Sequence, residues 1–510
     1  METNSHERLG TRILFVPGFV LRASSDIRVD SCPFVVRNIA LSFTNMKTLM
    51  AERGCAVVTF LVSVCSAVSA QTYTTLHSFA TGTGFFPYST NSDGARVLAG
   101  LVVSDENVYG VAQQGGRFGL GTVFKVRKDG SGFTNLHIFS GSSDQGLPSG
   151  KLVLAGDTLY GTTLGTASGT VFALKTDGTA FQNVHVFNGV DGANPGSSLV
   201  VSGNTLYGTT DSGAESGHGT VFAVQLDGTG FRNLHRFTTA DGEYVHAGLA
   251  LVGTNLYGTA ELGGSSDNGT VFAISVDGSS FTNLHNFGPT ISNTNSDGAH
   301  PRGTLISSGT ALYGTTIRGG DSGQGVIFAV NLDGMQFKIL HAFTGLDGDG
   351  ANPFAGLALS RERLYGATVG GGLHGRGMLF SVNVDGTSFS HLHSFTPYSG
   401  NKNPDGAGPN DAPAVAGTIL YGTASYGGDG GSGTGFSLLL SPPELTIAPS
   451  VTSVVVAWPF GATGFTLQST TNLLSTASWT PASVAPVVVN GQQTVTHPVD
   501  GPHRFYRLSH

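Results

Sequence analysis

The stretch LYGTTDSGAESGHGTVFAVQLDGTGFRNLHRF, residues 206–237, decides the fold because its pattern recurs along the chain. A Leu-Tyr-Gly or a close variant occurs seven times, with separations of 47 to 56 residues. Seven tyrosines define repeats 1 to 7: Tyr109, Tyr160, Tyr207, Tyr257, Tyr313, Tyr365 and Tyr421. Each Tyr precedes a Phe by 15 residues (12 in repeat 2), and in repeats 1 to 6 a His follows that Phe after 13 more. Positions repeated in this way are typical of a scaffold, since a single active site is not copied seven times.

The runs between these marks predict strands and tight turns. They are short, rich in β-branched and aromatic residues, and interrupted by Asp-Gly, Gly-Asn and Gly-Gly pairs. In repeat 3 the pattern predicts four strands, over residues 198–202, 205–209, 220–225 and 231–237. Asp227-Gly228 joins the last two, and this pair is favoured in hairpin turns whose two central residues both have positive φ.

Seven units of four strands predict an all-β fold, a seven-bladed β-propeller over residues 71–441. Small residues such as Ala99-Gly100 and Ala247-Gly248 begin each unit, where strands crowd an axis. Repeat 7 has no Leu-His-x-Phe of its own, while a seventh copy of that motif stands alone at Leu76–Phe79. We therefore expect this N-terminal strand to complete the seventh blade and close the ring.

The N-terminal 70 residues contain no repeat. Residues 46–70 are interpreted as a secretory signal peptide: Lys47 and Arg53 lead, an apolar run follows, and Val68-Ser69-Ala70 offers small residues for cleavage. Residues 1–45 are interpreted as a non-native or disordered extension. All three cysteines precede residue 70, so the exported part would contain none and would need no disulfide. A lipid anchor on Cys65 is disfavoured because Val64 precedes it.

Charge argues against nucleic acid as a partner. Residues 71–510 contain 18 Lys or Arg and 28 Asp or Glu, a net charge of −10. No stretch after residue 70 reaches the roughly 18 consecutive apolar residues of a membrane span. We expect an exported monomer, located in the periplasm, at the cell surface or outside the cell.

The repeat stops after Ser441-Pro442-Pro443. Residues 444–510 contain short alternating runs and both tryptophans, Trp458 and Trp479, which predicts a small β-sandwich. This module resembles the fibronectin type III class, and the resemblance implies no ligand.

The repeats themselves resemble a known family. Leu-Tyr-Gly-Thr-Thr, a Gly-rich loop, Gly-Thr-Val-Phe-Ala, and Asp-Gly-x-x-Phe-x-Asn-Leu-His-x-Phe together resemble the bacterial choice-of-anchor tandem repeats of the GloVer type. The motifs stand at Leu206–Phe237 and Leu256–Phe287, and the resemblance covers roughly residues 73–440. It implies an exported propeller-like repeat protein and no particular activity. The chain departs from the pattern in lacking a hydrophobic tail or terminal basic cluster, which argues against covalent or membrane anchoring.

Variation in length is concentrated in the connections from each His to the next Tyr, which span 22 to 32 residues. Such loops, held on a rigid scaffold, commonly bind ligands. They carry recurring aspartates: Asp93, Asp144, Asp191, Asp241, Asp297, Asp347 and Asp405. One interpretation is an acidic rim that binds cations, with calcium as a candidate ligand. The other, which we favour, is that each Asp closes its own turn on local backbone N–H groups. The identity of a metal ligand is unknown from the sequence.

The recurring histidines lie on the outermost strand of successive blades, so they cannot converge on one metal ion. We interpret them as hydrogen-bonding core residues. Better binding candidates break the pattern on the loop face and combine rings with polar groups suited to sugars or peptides. They are Phe85, Phe86, Tyr88, Tyr244, His246, His300, Arg302, Tyr398 and Lys402.

No carboxylate pair, nucleophile with its base, or cofactor fingerprint stands at non-repeating positions, so catalysis and a cofactor are not predicted. The leading hypothesis is an exported scaffold that binds a glycan or protein through its loop face. The alternatives are an extracellular polysaccharide-acting enzyme that uses loop carboxylates, and a purely structural envelope or matrix component.

Overall fold

A computed structural model describes residues 72–83, 89–400, 402–440, 445–449, 453–459, 466–470, 479–481, 484–489, 492–498 and 505–509. Within these ranges the chain is all-β, with tandem four-stranded antiparallel sheets of propeller-like order. The interpretations of residues 1–45 and 46–70 lie outside the described residues.

Each repeat corresponds to one sheet, and the strands follow in chain order. Strand β1 (Tyr73–Ser78) precedes them. Sheet 1 contains β2 (Val102–Val103), β3 (Asn107–Ala112), β4 (Thr122–Arg127) and β5 (Thr134–Ile138). Sheet 2 contains β6 (Val153–Ala155), β7 (Thr158–Thr163), β8 (Thr170–Lys175) and β9 (Gln182–Val186). Sheet 3 contains β10 (Val200–Ser202), β11 (Thr205–Thr210), β12 (Thr220–Gln225) and β13 (Arg232–Arg236).

The next two sheets follow the same order. Sheet 4 contains β14 (Ala250–Val252), β15 (Asn255–Ala260), β16 (Thr270–Ser275) and β17 (Phe281–Asn286). Sheet 5 contains β18 (Asn295–Pro301), β19 (Ile306–Ser308), β20 (Ala311–Gly320), β21 (Val326–Asn331) and β22 (Lys338–Ala342). Strand β18 is additional to the four-strand pattern, because the connection into repeat 5 folds back and pairs with the long β20.

Repeats 6 and 7 each add a short two-stranded sheet formed by strands that are not consecutive in the chain. The strands are β23 (Gly350–Ala351), β24 (Ala358–Ser360), β25 (Arg363–Thr368), β26 (Gly370–Gly371), β27 (Met378–Asn383), β28 (Ser390–Ser394), β29 (Asn403–Ala407), β30 (Ala414–Ala416), β31 (Ile419–Ala424), β32 (Tyr426–Gly428) and β33 (Thr434–Leu439). Sheet 6 has the order β24-β25-β27-β28, while β23 pairs with β26 and β29 with β32.

Sheet 7 has the order β30-β31-β33-β1, so its fourth strand comes from the other end of the repeat region. Tyr73 pairs with Leu438 and Ser78 with Thr434, with a register shift between Thr75 and His77. The same one-residue shift occurs between the third and fourth strands of the other repeats, for example between Val221 and Phe222. The expected pairing of the solitary Leu76–Phe79 motif with repeat 7 is therefore present.

The hydrophobic core is divided into clusters that each join two successive sheets. One cluster packs Tyr109 and Val123 of sheet 1 against Phe172 of sheet 2. Another packs Tyr421 of sheet 7 against Val108 of sheet 1. The recurring tyrosines are 2% to 8% exposed, as expected for core residues. Each sheet therefore buries its faces against its neighbours along the chain.

The glycine of Leu-Tyr-Gly is required by close packing across the register. Gly208 pairs with Phe222, and a Cβ on Gly208 would lie 2.6 Å from Phe222 Cζ and 2.7 Å from Leu199 Cδ2. The phenyl ring thus occupies the space that any side chain would need. This explains why the Tyr-Gly pair and the Phe recur together.

The hairpins between third and fourth strands differ from the prediction. Gly228 has a φ of +86°, but Asp227 is not in the left-handed region. Gly228 donates its N–H to Gln225 O, and Asp227 Oδ1 accepts from the N–H and hydroxyl of Thr229. The turn is therefore a three-residue loop with a left-handed glycine, and the aspartate stabilises it through its side chain. The hydrogen bonds from Thr229 also lower the pKa of Asp227.

The described C-terminal residues form two antiparallel sheets. The strands are β34 (Thr446–Pro449), β35 (Ser453–Pro459), β36 (Thr466–Thr470), β37 (Thr480–Pro481), β38 (Val487–Val489), β39 (Gln492–Pro498) and β40 (Phe505–Ser509). Their orders are β34-β35-β39-β38 and β37-β36-β40. Trp458 of the first sheet and Leu467 of the second belong to one buried cluster, which fits the expected two-sheet module.

Candidate functional site

All seven repeats contribute residues to one cavity of about 490 Å³. This volume lies within the usual range for small-molecule sites. The lining comes from the segment before each first strand and from the end of each second strand. The cavity is thus built by residues roughly one repeat apart in the sequence.

One position in each repeat lies in the cavity wall, five residues after the starting aspartate of that repeat, which is Asp93, Asp144, Asp191, Asp241, Asp297, Asp349 or Asp405. We call these seven residues the variable ring: Leu98, Ser149, Gly196, His246, Arg302, Phe354 and Asn410. No residue type occurs twice among them. The position four residues after each recurring tyrosine varies in the same way: Gln113, Leu164, Asp211, Glu261, Ile317, Val369 and Ser425. Four of these residues, Gln113, Leu164, Asp211 and Val369, also line the cavity.

A strained backbone position lies two residues before each member of the variable ring. Arg96, Leu147, Tyr244 and His300 have φ values of +53° to +58° there, in the left-handed region. Asn or Gly, which tolerate this conformation, occupies it in repeats 3, 6 and 7. Four repeats thus hold a bulky residue in an unfavourable conformation beside the cavity, as is common at functional sites.

A chain of charged groups crosses repeats 3, 4 and 5 at the cavity. His246 Nδ1 lies 2.8 Å from Asp211 Oδ2, and His246 Nε2 lies 3.2 Å from Glu261 Oε2. Arg302 Nε lies 3.6 Å from the same Glu261 oxygen. His246 and Arg302 are therefore the two basic residues that lie next to these acids.

Two further charged residues stand at positions that are otherwise small. Seven residues after each starting aspartate the repeats carry Gly100, Lys151, Ser198, Gly248, Thr304, Gly356 and Ala412. Lys151 lines the cavity and forms no ion pair among the described residues. Asp411 also lines the cavity, but its carboxylate accepts the N–H groups of Gly100 at 2.6 Å and Ala412 at 2.7 Å.

Repeats 6 and 7 supply aromatic rings to the wall. Phe354 is half-buried, and the Arg302 guanidinium lies 5.3 Å from its ring centre. Tyr426 is 44% exposed and lines the cavity beside Val369 and Asn410. An aromatic surface beside hydrogen-bonding groups is suited to ligands with one apolar face and several hydroxyls.

The recurring histidines each bind an aspartate away from this cavity. The seven Nε2-to-carboxylate distances are 2.9 to 3.2 Å, and the pairs are His77–Asp93, His137–Asp144, His185–Asp191, His235–Asp241, His285–Asp297, His341–Asp349 and His393–Asp405. Each aspartate also accepts a backbone N–H from the residue after the His-x-Phe motif, such as Thr238 N on Asp241 Oδ1 at 2.6 Å.

Each histidine also stacks on a ring of the following sheet. His235 lies 3.8 Å from the ring centre of Phe281, with the planes 5° apart. In the last sheet Tyr73 of β1 takes the place of that Phe and stacks on His393 at 4.2 Å. The group of histidine, aspartate and neighbouring ring, which we call the clasp, therefore joins successive sheets.

This geometry corrects one residue. Asp347 is exposed and does not bind the histidine of its repeat; Asp349 does, at 3.2 Å from His341 Nε2. The sequence spacing misled because a Leu346-Asp347-Gly348 turn precedes the functional equivalent. The other predicted aspartates, Asp93, Asp144, Asp191, Asp241, Asp297 and Asp405, all direct their carboxylates to a histidine and to backbone N–H groups.

The clasp shifts several pKa values. Burial lowers the pKa of His137, His185 and His235, and the bonded aspartates offset only part of that effect. Burial raises the pKa of Asp349 and Asp405, but hydrogen bonds from histidine and backbone groups outweigh it, so both lie below the ordinary value. The described residues hold no group of three or more His, Cys, Asp or Glu arranged to bind a metal ion.

Of the irregular residues predicted to bind, His246 and Arg302 line the cavity. Tyr244, 44% exposed, and His300 flank them at the strained positions. Tyr398 is separate from the cavity lining and packs under the Arg376 guanidinium at 4.3 Å, and Lys402 is exposed near it. Phe85, Phe86 and Tyr88 lie outside the described residues.

The sequence interpretation missed Lys151, Asp211, Glu261, Phe354 and Asp411. An alignment of the seven repeats on their histidine-bound aspartates contains the signal. Lys151 and Asp411 stand where the other repeats have small residues, and Asp211, Glu261 and Phe354 stand where every repeat has a different residue. These residues lie inside regular repeats and not in the long, irregular loops where binding residues were expected.

Comparison with known proteins gives a family match. The profile of the Gloeobacter/Verrucomicrobia repeat matches residues 60–200, 99–320, 255–436 and 300–478. No curated protein matches the chain. Along the described residues no helix has the length and apolar character to cross a membrane.

Several solved structures are similar at low identity. A chain of a nidogen/laminin complex is 17% identical, with a TM-score of 0.33 over 48% of this chain and 80% of that one. An oligogalacturonate lyase in complex with manganese is 11% identical, with a TM-score of 0.42 over 73% and 96%. TolB from Acinetobacter baumannii is 15% identical, with a TM-score of 0.35 over 54% and 60%.

Proposed function

The chain belongs to the Gloeobacter/Verrucomicrobia repeat family, and we propose that it is an exported, closed seven-bladed β-propeller that binds a small polar ligand in the cavity of the variable ring. Binding without catalysis is the primary role in this proposal. The signal peptide at residues 46–70 would direct export, and the C-terminal two-sheet module, of the fibronectin type III kind, would contact a surface or partner.

Contacts between the last and first repeats support closure. Strand β1 pairs with β33 of repeat 7, and its His77 stacks on Phe133 of repeat 1 at 3.7 Å. Thr423 of repeat 7 donates its hydroxyl to Ala99 O of repeat 1 at 3.0 Å. The same kind of bond links other successive repeats, as from Thr209 to Ala247 O at 2.9 Å. In a closed ring the first and last sheets, like the others, have a neighbour on both faces.

The observation that carries the binding proposal is the variable ring. Seven equivalent positions carry seven different residue types around one cavity. A purely structural ring would be served by small residues, as at the next position along the chain, which holds Ala, Gly or Ser in six of the seven repeats. Different side chains suit a ligand that has no sevenfold symmetry.

Blocking the cavity tests the proposal. Gly196 is the smallest member of the variable ring, and repeat 6 already holds Phe354 at the equivalent position, so Gly196→Phe should fold while filling the cavity. Binding to an array of mono- and disaccharides, followed by calorimetry on the strongest hit, should weaken at least about tenfold in this variant.

Met335→Phe is the matched control, since it adds a ring to an exposed hairpin turn away from the cavity. It should bind like the wild type. Binding that is equal in Gly196→Phe and in the wild type would exclude the cavity as the site.

An extracellular polysaccharide-acting enzyme is the second candidate. It is favoured by the placement of His246 between Asp211 and Glu261, because carboxylates and a histidine in contact can transfer protons. Release of reducing or unsaturated ends from polysaccharides, abolished by Asp211→Asn, would select this candidate over simple binding.

A further inference from the structure

Lys151 is the least expected residue of the cavity. The other six repeats place Gly, Ser, Thr or Ala at its position. The space there is limited: a Cβ on Gly356 would lie 2.6 Å from Thr304 O, and one on Gly248 would lie 2.8 Å from Ser198 O. Repeat 2 alone directs a long cationic side chain from this crowded position into the cavity.

The surrounding acids do not neutralise Lys151. Asp211 faces His246, Glu261 lies between His246 and Arg302, and Asp411 accepts two backbone N–H groups. Lys151 is half-buried and forms no ion pair among the described residues. An ammonium group with no ion pair can donate hydrogen bonds to the oxyanion of a ligand.

The cations and acids at the cavity are equal in number, in contrast to the net charge of −10 over residues 71–510. Arg96, Lys151 and Arg302 stand with Asp211, Glu261 and Asp411. Among these cations Lys151 forms no ion pair within the described residues, so an anion in the cavity would be attracted to it.

The rest of the wall indicates what else the ligand contains. Ser149, Gln113 and Asn410 offer hydroxyl and amide groups, and Phe354 and Tyr426 offer aromatic rings. This combination fits a small ring with several hydroxyls and one apolar face.

Resting on the proposed binding function, we infer that the ligand is an acidic sugar or a similar polyhydroxylated molecule with one oxyanion group, and that Lys151 pairs with this oxyanion. The carboxylate, sulfate or phosphate oxygens accept from the Lys151 ammonium group. The hydroxyls bond to the polar side chains, and the apolar face lies against the aromatic wall.

Sugars that differ only at carbon 6 test this inference. The probes are glucose, glucuronate, glucose 6-sulfate and glucose 6-phosphate, the same series in the galactose configuration, and inorganic phosphate. Calorimetry with the full chain at low salt should show at least one acidic sugar binding about tenfold or more tighter than its neutral parent, an effect that high salt reduces. The derivative that binds most tightly shows whether the oxyanion of the ligand is a carboxylate, a sulfate or a phosphate.

The variants isolate Lys151. Lys151→Gln should remove the preference for the acidic sugar over its neutral parent, while Lys151→Arg should retain that preference. Lys128→Gln makes the same charge change in the turn between β4 and β5 and should have no effect.

Three results would overturn the inference: no tighter binding of any acidic sugar, a preference that survives Lys151→Gln, or inorganic phosphate binding as tightly as the sugar acids. If neutral sugars bind and Gly196→Phe blocks them, the proposed cavity stands and only the acidic ligand fails. If Gly196→Phe blocks nothing, the proposed function itself fails.

Discussion

The clasp should make a measurable contribution to stability, and His235→Ala tests it. His235 Nε2 lies 2.9 Å from Asp241 Oδ2, and its ring stacks on Phe281. A hydrogen bond to a charged group contributes about 1.5–3 kcal/mol, and an aromatic pair about 0.5–1.5 kcal/mol. Because the His235 side chain is 19% exposed, we take the lower half of that sum and expect a loss of about 2–3 kcal/mol.

Urea unfolding followed by far-UV circular dichroism and tyrosine fluorescence measures this loss. Tryptophan fluorescence would report the other module, because Trp458 and Trp479 both follow the repeats. His391→Ala is the matched control: His391 is exposed on the outer strand of sheet 6 and its Nε2 contacts only Ser394 Oγ, at 2.8 Å. The control should lose less than about 1 kcal/mol.

A double-mutant cycle with Phe281→Leu separates the stack from the hydrogen bond. Two residues in direct contact should show a coupling energy of about 0.5–1.5 kcal/mol. A loss below about 0.5 kcal/mol in His235→Ala, or no coupling with Phe281, would refute the clasp as a link between successive sheets.

Three other outcomes are expected. The free energy of unfolding should be highest above about pH 6.5 and should fall as the pH decreases below it. Burial lowers the pKa of His137, His185 and His235 in the folded protein, so at lower pH the unfolded chain binds protons that the folded protein does not. A melting temperature that is unchanged between pH 7.5 and 5.5 would contradict this. Gly208→Ala should lower the free energy of unfolding, measured in urea, by about 1–3 kcal/mol because the new Cβ would overlap the ring of Phe222. The loss should exceed that of Gly203→Ala, whose backbone has a φ of +57° but whose Cβ would have no atom within 4 Å. Equal losses would argue against the packing explanation. Tyr73→Ala should lower the melting temperature more than Tyr73→Phe. Both variants lose the hydrogen bond from the Tyr73 hydroxyl to Asp405 O at 2.6 Å, but only Tyr73→Ala loses the stacking on His393. A wild-type melting temperature in both variants would weigh against closure by β1.

The regular strands were largely predictable because their pattern is local. The third strand of repeat 3 was predicted at residues 220–225 and observed at Thr220–Gln225. The first strand was predicted at 198–202 but is observed only at Val200–Ser202, because Ser197 and Ser198 turn toward the cavity and bond to other repeats. Strand β18 was not predicted, since its pairing with β20 depends on a fold in the long connection.

The candidate site was only partly predictable. His246 and Arg302 were found because a histidine and an arginine are conspicuous in loops, and both line the cavity. Asp349 was missed in favour of Asp347 because the distance from histidine to aspartate varies between repeats, and only contact with His341 distinguishes the two. Lys151 was missed because its significance depends on the space around it.

The sequence by itself determined the number of repeats, the strands within each and the identity of the scaffold residues. These follow from periodicity between residues close in the chain, which sets backbone geometry directly. Tertiary structure alone decided that Tyr73 pairs with His393, and that seven unlike side chains, each about one repeat apart, line one cavity. Burial, charge balance and ligand fit depend on distances through space, and no spacing along the chain contains those distances.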